Sequence, residues 1–169
     1  MKLEHVISVA QTLDRAGVRY LVVGGLAVNA HGHVRYTNNL DLVIGLERAN
    51  ILLGLDALAG IGYRARIPVT NEQFANAGLR ARWRAEKGMV VLNLWNEARR
   101  ETPIDVFVEE PFDFEAEHRS ACRMPLAEGL EVPFVTLSTL LRMKQAAGRP
   151  QDLQDIAELR RIEELRHDA

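Results

Sequence analysis

The sequence predicts an α+β fold, a mixed sheet flanked by helices and closed by two C-terminal helices. Three observations predict it. Apolar stripes at helical spacing are interspersed with short β-rich runs, some neighbouring runs are spaced to pair antiparallel, and the last third ends in two helical stretches. With 169 residues, 47% apolar and 26% charged, the chain can bury a real core and does not have the composition of a disordered protein.

Taken in order, Val6, Val9, Ala10 and Leu13 form one helical stripe, which Gly17 ends. Arg19–Val23 is a β-rich run broken by Gly24-Gly25, and Leu26–His31 is long enough for a short helix. Leu40–Ile44 reads as a second strand. Ile51, Leu52, Leu55, Leu58 and Ala59 give a second helical stripe, stopped near Gly60 and Gly62. Leu79, Ala81 and Trp83 alternate with Arg80, Arg82 and Arg84, a strand period with one apolar and one basic face. Glu86-Lys87-Gly88 then makes a turn into a returning strand, Met89–Trp95, with Ile104–Val108 as a further strand. Thr136–Ala147 and Asp152–Arg166 are the closing helices, separated by Gly148 and Pro150. Leu153, Ile156, Leu159 and Ile162 line the second as core or dimer seam. There is no repeat and no long linker, so residues 1–169 are expected to form one domain, with 136–169 as its helical part.

Composition excludes several classes. Cys122 is the only cysteine, which rules out a disulfide framework within one chain and a cysteine-rich zinc site; it reads as a small buried apolar residue. The charged opening stretch lacks the apolar core of a secretory signal, and no apolar run reaches bilayer length, so no membrane is expected and cytoplasm is the expected location. A net charge of −2 argues against a general DNA-coating protein. Residues 64–100 nevertheless carry eight Arg or Lys against Glu72, Glu86 and Glu97, a local +5 that leaves the remainder at −7. This segment is either a face for a phosphate-rich partner such as RNA or an ordinary solvated surface.

The chemistry is concentrated between Gly24 and Leu42. A strand runs into Gly24-Gly25 and a short helix, a layout that lets backbone approach a phosphate group. Asn39 and Asp41 are two apart at the start of an apolar strand and so share a face. Asp105 interrupts another apolar strand, IDVFV. Asp and Asn are depleted in strands, and a buried carboxylate is costly unless it is paired or binds a cation. If the two strands are neighbours, Asn39, Asp41 and Asp105 converge and offer oxygen ligands to Mg²⁺. The plain alternative is that each is a locally hydrogen-bonded polar residue at a strand end.

These residues make the sequence recognisable. Gly24-Gly25, His31-Gly32, Arg35-Tyr36-Thr37-Asn38-Asn39-Leu40-Asp41, the later Asp105, Lys144 and the run Arg149-Pro150-Gln151-Asp152-Leu153-Gln154-Asp155 fall in the order of a family pattern. The chain resembles the nucleotidyltransferase fold of the DNA polymerase beta superfamily. Within it, the chain is similar to small bacterial nucleotidyltransferases related to abortive-infection and toxin–antitoxin toxins. The resemblance implies transfer of a nucleoside monophosphate from an NTP, assisted by Mg²⁺ or Mn²⁺, to a hydroxyl of RNA, protein or a small molecule. It implies that Gly24 and Gly25 cradle phosphates and that Asn39, Asp41 and Asp105 form the metal and catalytic site. Asp105 would aid deprotonation of the acceptor, Lys144 would meet the triphosphate, and Arg35 and Thr37 would order the site rim. A cognate antitoxin or a homodimer is the implied partner.

One residue departs from the pattern: the first metal-binding acid is Asn39 here. Asn keeps the shape and one carbonyl donor but removes a full charge from a two-metal site. Three readings follow: a weak or inactive protein, a one-metal enzyme, or an Asp replaced to disarm the site. A nucleotide-binding pseudoenzyme that acts through a partner therefore stands beside the enzyme, and a metal hydrolase built on His31, His33 and Asp41 is a third idea. Local alternatives also stand: Lys144 as a solvated helix residue, Asp152 as a helix cap, His31 as a hydrogen-bonded structural group and Trp83 as core.

Overall fold

A computed structural model describes residues 1–167; the final two residues of the 136–169 helical part lie outside the described residues. The elements in order are α1 (Leu3–Arg15), β1 (Tyr20–Val23), α2 (Gly24–Ala30), β2 (Leu40–Ile44), α3 (Arg48–Gly60), β3 (Arg64–Ala65), α4 (Asn71–Phe74) and α5 (Ala77–Lys87). There follow β4 (Val91–Trp95), a 3₁₀ turn (Glu97–Arg99), β5 (Ile104–Phe107), α6 (Phe114–Ser120), β6 (Cys122–Ala127), β7 (Leu130–Phe134), α7 (Leu137–Ala147) and α8 (Pro150–His167). The strands form one seven-stranded mixed sheet in the order β3-β4-β5-β2-β1-β7-β6. β1 runs antiparallel to β2 and parallel to β7, while β2 and β5 are parallel neighbours.

Burial along the strands shows where the sheet is covered. All four residues of β1 are buried, so both its faces are packed. In β4 and β5 burial alternates: Leu92, Leu94, Ile104 and Val106 face the core, while Val91, Asn93, Asp105 and Phe107 lie on a half-open face. That face is where a ligand can reach the sheet. The α1 stripe, Val6, Val9, Ala10 and Leu13, is buried as its spacing predicts, and α1 packs on α3.

Residues 77–87 correct the sequence reading. The alternation of apolar and basic residues predicts a strand, but the segment is helix α5. Ala, Leu, Arg, Glu and Lys are strong helix formers. The Asn76 side chain caps the start by accepting from the Leu79 N–H, and Gly88 closes the end in the left-handed conformation (φ 61°). Only Arg80 and Trp83 of α5 are buried, a spacing of three that belongs to a helix. Trp83 is thus core, as expected, but from a helix. β4 accordingly pairs with β3 and β5 and has no strand partner in 77–87.

Part of the basic segment is spent on contacts within the protein. Arg80 is buried, its guanidinium donating to the carbonyls of Phe74 (2.6 Å) and Val108 (3.2 Å) and lying over the Phe74 ring. Arg64 donates to the Ala59 and Tyr63 carbonyls, Arg84 pairs with Glu109 and Arg100 with Glu97. Three smaller expectations also change. Cys122 is half-buried on β6, Leu153 is exposed while Ile156 and Leu159 are buried, and Lys144 is buried.

Candidate active site

The parallel pairing of β2 with β5 sets Asp41 directly beside Asp105, and the antiparallel pairing of β5 with β4 sets Asn93 on the other side of Asp105. Asn39, two residues before Asp41, falls on the same face. Its amide nitrogen donates to both carboxylates, to Asp41 Oδ1 at 2.9 Å and to Asp105 Oδ2 at 2.7 Å. Asn93 donates to the other Asp105 oxygen at 2.5 Å. Asn39, Asp41 and Asp105 therefore converge as the strand pattern predicts. Burial, followed by the negative charge of Asp105, pushes the Asp41 carboxyl up to about 7; the Gly25 N–H, the charge of Arg149 and the Asn39 bond only partly oppose this.

The two glycines are fixed by what they touch. A Cβ on Gly24 (φ 64°) would lie 2.0 Å from Asp41 Oδ2, and one on Gly25 would lie 2.4 Å from Thr37 Oγ1. Only glycine at both positions lets the first turn of α2 rest on Asp41 and on Thr37.

The segment from Gly32 to Asn39 has no regular structure and is held by side chains. The Asn29 amide both donates to the Arg35 carbonyl (2.9 Å) and accepts from its N–H (3.0 Å). The Arg35 guanidinium grips the buried Asp155 with two bonds, 2.6 and 2.7 Å. Lys144 Nζ lies between Asp152 (2.9 Å) and Asp155 (2.6 Å), and Arg149 Nε bonds Asp152 at 2.7 Å. Burial raises the affinity of Asp152 for a proton, but the Arg149 and Lys144 hydrogen bonds and charges outweigh it and hold the carboxyl at about 2. At Asp155, burial is likewise outweighed by hydrogen bonds from Arg35 and Lys144, and its carboxyl lies below the ordinary range. Asp152 also accepts from the Arg149 N–H (3.2 Å), so it caps α8 while serving this network.

A cleft of about 1010 Å³ opens over these groups. Gly24, Gly25, Arg35, Thr37, Asn39, Asp41, Asp105 and Lys144 all line it, so every site residue expected from the sequence borders one cavity. Val91, Phe107 and Phe112 supply an apolar wall. The histidines do not join the carboxylates. His31 is buried with Nε2 on the Val135 carbonyl (2.8 Å), the structural role anticipated for it, and His33 faces Asp155 at 3.7 Å. The idea of a His31–His33–Asp41 metal site is thereby overturned. Sequence reading missed Asn93, although an Asn in the apolar strand VLNLW carries the same depletion signal as Asp105.

Among the described residues no group of three or more His, Cys, Asp or Glu is placed to hold one ion. The donor set is two carboxylates with an Asn amide between them, and Asn93 Oδ1 is buried without a hydrogen-bond partner. Adjacent carboxylates, one of them reluctant to ionise, suit one hard divalent cation and lack the third acid of a two-metal centre, and Asn39 and Asn93 turn their nitrogens toward them.

The fold is shared with a solved adenylyltransferase. Among solved structures the chain is similar to the lincosamide antibiotic adenylyltransferase LnuA, determined with lincomycin bound. The likeness covers 94% of this chain and 96% of that chain at a TM-score of 0.60 and 13% identity, and it is a likeness of fold. No protein-family model matches this sequence, and no curated protein matches it.

Proposed function

We propose that this protein is a nucleotidyltransferase that moves a nucleoside monophosphate from an NTP to a hydroxyl of a small molecule. The observation that carries this reading is the Asp41–Asp105 pair, in register on adjacent strands at the floor of the cleft. In the reaction the acceptor oxygen bonds to the α-phosphorus, the bond to the β-phosphate bridging oxygen breaks, and pyrophosphate leaves. Asp105 takes the hydroxyl proton. Gly24 and Gly25 bring bare backbone to the phosphates, and Thr37 and Arg35 form the wall beside them. Asp41 and Asp105, with Asn39 as a neutral donor, would hold the divalent cation, Mg²⁺ or Mn²⁺. That ion supplies neutralisation of phosphate charge.

A small acceptor fits the cleft better than RNA does. The cleft is of ligand size with an apolar wall, while several of the basic residues expected to face RNA are held in contacts within the protein, and Arg80 is buried. The similar solved enzyme is an adenylyltransferase of a small antibiotic, which agrees. The reading takes residues 1–169 as one catalytic unit working in the cytoplasm. A toxin–antitoxin setting stays attached to the motif resemblance.

A second reading has one observation in its favour. The Asn39 amide already bridges the two carboxylates, as a cation would. The protein would then bind nucleotide, or a partner such as an antitoxin, without transfer.

The test uses labelled NTPs with Mg²⁺ and three acceptor pools, hydroxylated small molecules, RNA and protein. Wild type, Asn39→Asp and Asp105→Asn are compared. Label on a small molecule that is lost in Asp105→Asn supports the proposal. Nucleotide binding without label in either wild type or Asn39→Asp establishes the second reading instead.

A further inference from the structure

The resemblance assigns the triphosphate to Lys144, but the structure commits that residue elsewhere. Its side chain is 6% exposed, and its ammonium is shared by Asp152 and Asp155 at 2.9 and 2.6 Å. The cluster holds three cations, Arg35, Lys144 and Arg149, against two carboxylates, so one positive charge is left over. Burial decides where a ligand meets it. Arg35 is 21% exposed with both forks on Asp155, whereas Arg149 is 75% exposed and lines the cleft.

We infer that Arg149 is the residue that receives the polyphosphate of the nucleotide, and that Lys144 is a buried strut that keeps Asp152 and Asp155 together. The inference deepens the nucleotidyl-transfer reading and rests on it for the identity of the ligand. Asp152 orients the guanidinium through Nε (2.7 Å) and, more weakly, Nη2 (3.4 Å), and no hydrogen bond from Nη1 is recorded among the described residues. The pair thus behaves as a sighted fork: one edge is anchored on a buried acid and the other is open to two phosphate oxygens. Arg149 lines the same cleft as Asp41 and Asp105, so its charge borders the carboxylate site. The other cleft cations are less suited. Arg84 is paired with Glu109, and Arg142 donates to Thr139 Oγ1, whose hydroxyl is held by buried Glu117.

The test is calorimetric binding of inorganic tripolyphosphate in EDTA, and of ATP with Mg²⁺, to the full chain. Arg149→Gln is expected to weaken both by about tenfold or more, the loss of one charge-assisted contact, while staying folded with a Tm lowered by the weaker hold on Asp152. Arg149→Lys should recover only part of the affinity. Lys144→Gln, which keeps a hydrogen-bond donor toward Asp152 and Asp155 and leaves the Arg35 fork its partner, is measured beside them at a temperature where its melt shows it folded. It is expected to lose stability yet keep tripolyphosphate affinity within about threefold. Unaltered binding by Arg149→Gln, loss of binding by folded Lys144→Gln, or no tripolyphosphate binding by wild type would each overturn the inference. Acceptor labelling separates the two claims: Arg149-dependent tripolyphosphate binding without transfer leaves the anion site standing and removes the enzyme.

Discussion

Asn39 is the residue on which activity turns. Its single amide nitrogen satisfies one oxygen of Asp41 and one of Asp105, so two half-buried acids share a face without an ion between them. Replacing it by Asp, of the same shape, removes the donor and adds a third negative charge. Asn39→Asp should therefore lower Tm by several degrees in EDTA, as expected for about 1–3 kcal/mol of lost hydrogen bonding. Mg²⁺ should restore it and raise transfer by at least about tenfold. Thermal melts with and without Mg²⁺ check this, and an Asp variant indifferent to the ion would refute it. Gly24 makes a complementary case. Alanine there meets both the positive φ and Asp41 Oδ2 at 2.0 Å. Gly24→Ala should cost about 1–3 kcal/mol in urea unfolding and also impair nucleotide binding, because Asp41 must move.

At the scale of elements, the segment between α2 and β2 carries Arg35, Thr37 and Asn39 but has no ladder of its own. It takes its position from α8 through the Arg35–Asp155 fork. Breaking a buried pair from one side strands the other charges, so Asp155→Ala should cost about 3–5 kcal/mol. Hydrogen exchange should accelerate at residues 33–39 more than in β1. Uniform exchange across both would show that the loop is held by something else. This dependence explains what could be read in advance. The strands bearing Asp41 and Asp105 were legible because a carboxylate in an apolar run is costly, and their convergence needed only that the strands be neighbours. The burial of Lys144 was not legible, since the Asp152–Asp155 spacing becomes a cradle only once α7 and α8 pack. Nor was α5: Leu-Arg-Ala-Arg-Trp-Arg satisfies a strand period, and its helix rests on Asn76, Gly88 and intrinsic propensity. The hairpin of β6 and β7 was missed because Pro125 and Pro133 interrupt its pattern.

For the whole molecule the two carboxylate groups push in opposite directions with pH. Asp152, held at about 2, is ionised when folded at pH values where the unfolded chain has taken up a proton. Its stabilisation is present above about pH 4 and lost as pH falls toward 2. Asp41, raised to about 7, keeps a proton that the unfolded chain has released, so its contribution declines as pH rises from about 4 to 7. Tm in EDTA should thus peak at mildly acid pH. Mg²⁺ should stabilise more at pH 8 than at pH 5, and the decline between about pH 4 and 7 should vanish in Asp41→Asn; a Tm that climbs steadily to pH 8 in EDTA would contradict the raised Asp41. The sheet order also has a bearing on how the chain is made. β1 has β2 close behind it in sequence, but its other edge is closed by β7, whose Phe134 sits opposite Val22. On the ribosome, the chain must emerge through Phe134 before that edge is covered. Until then four apolar residues, Tyr20–Val23, present an open ladder to any extended peptide. The protein is thus more open to wrong strand pairing during its synthesis than after it.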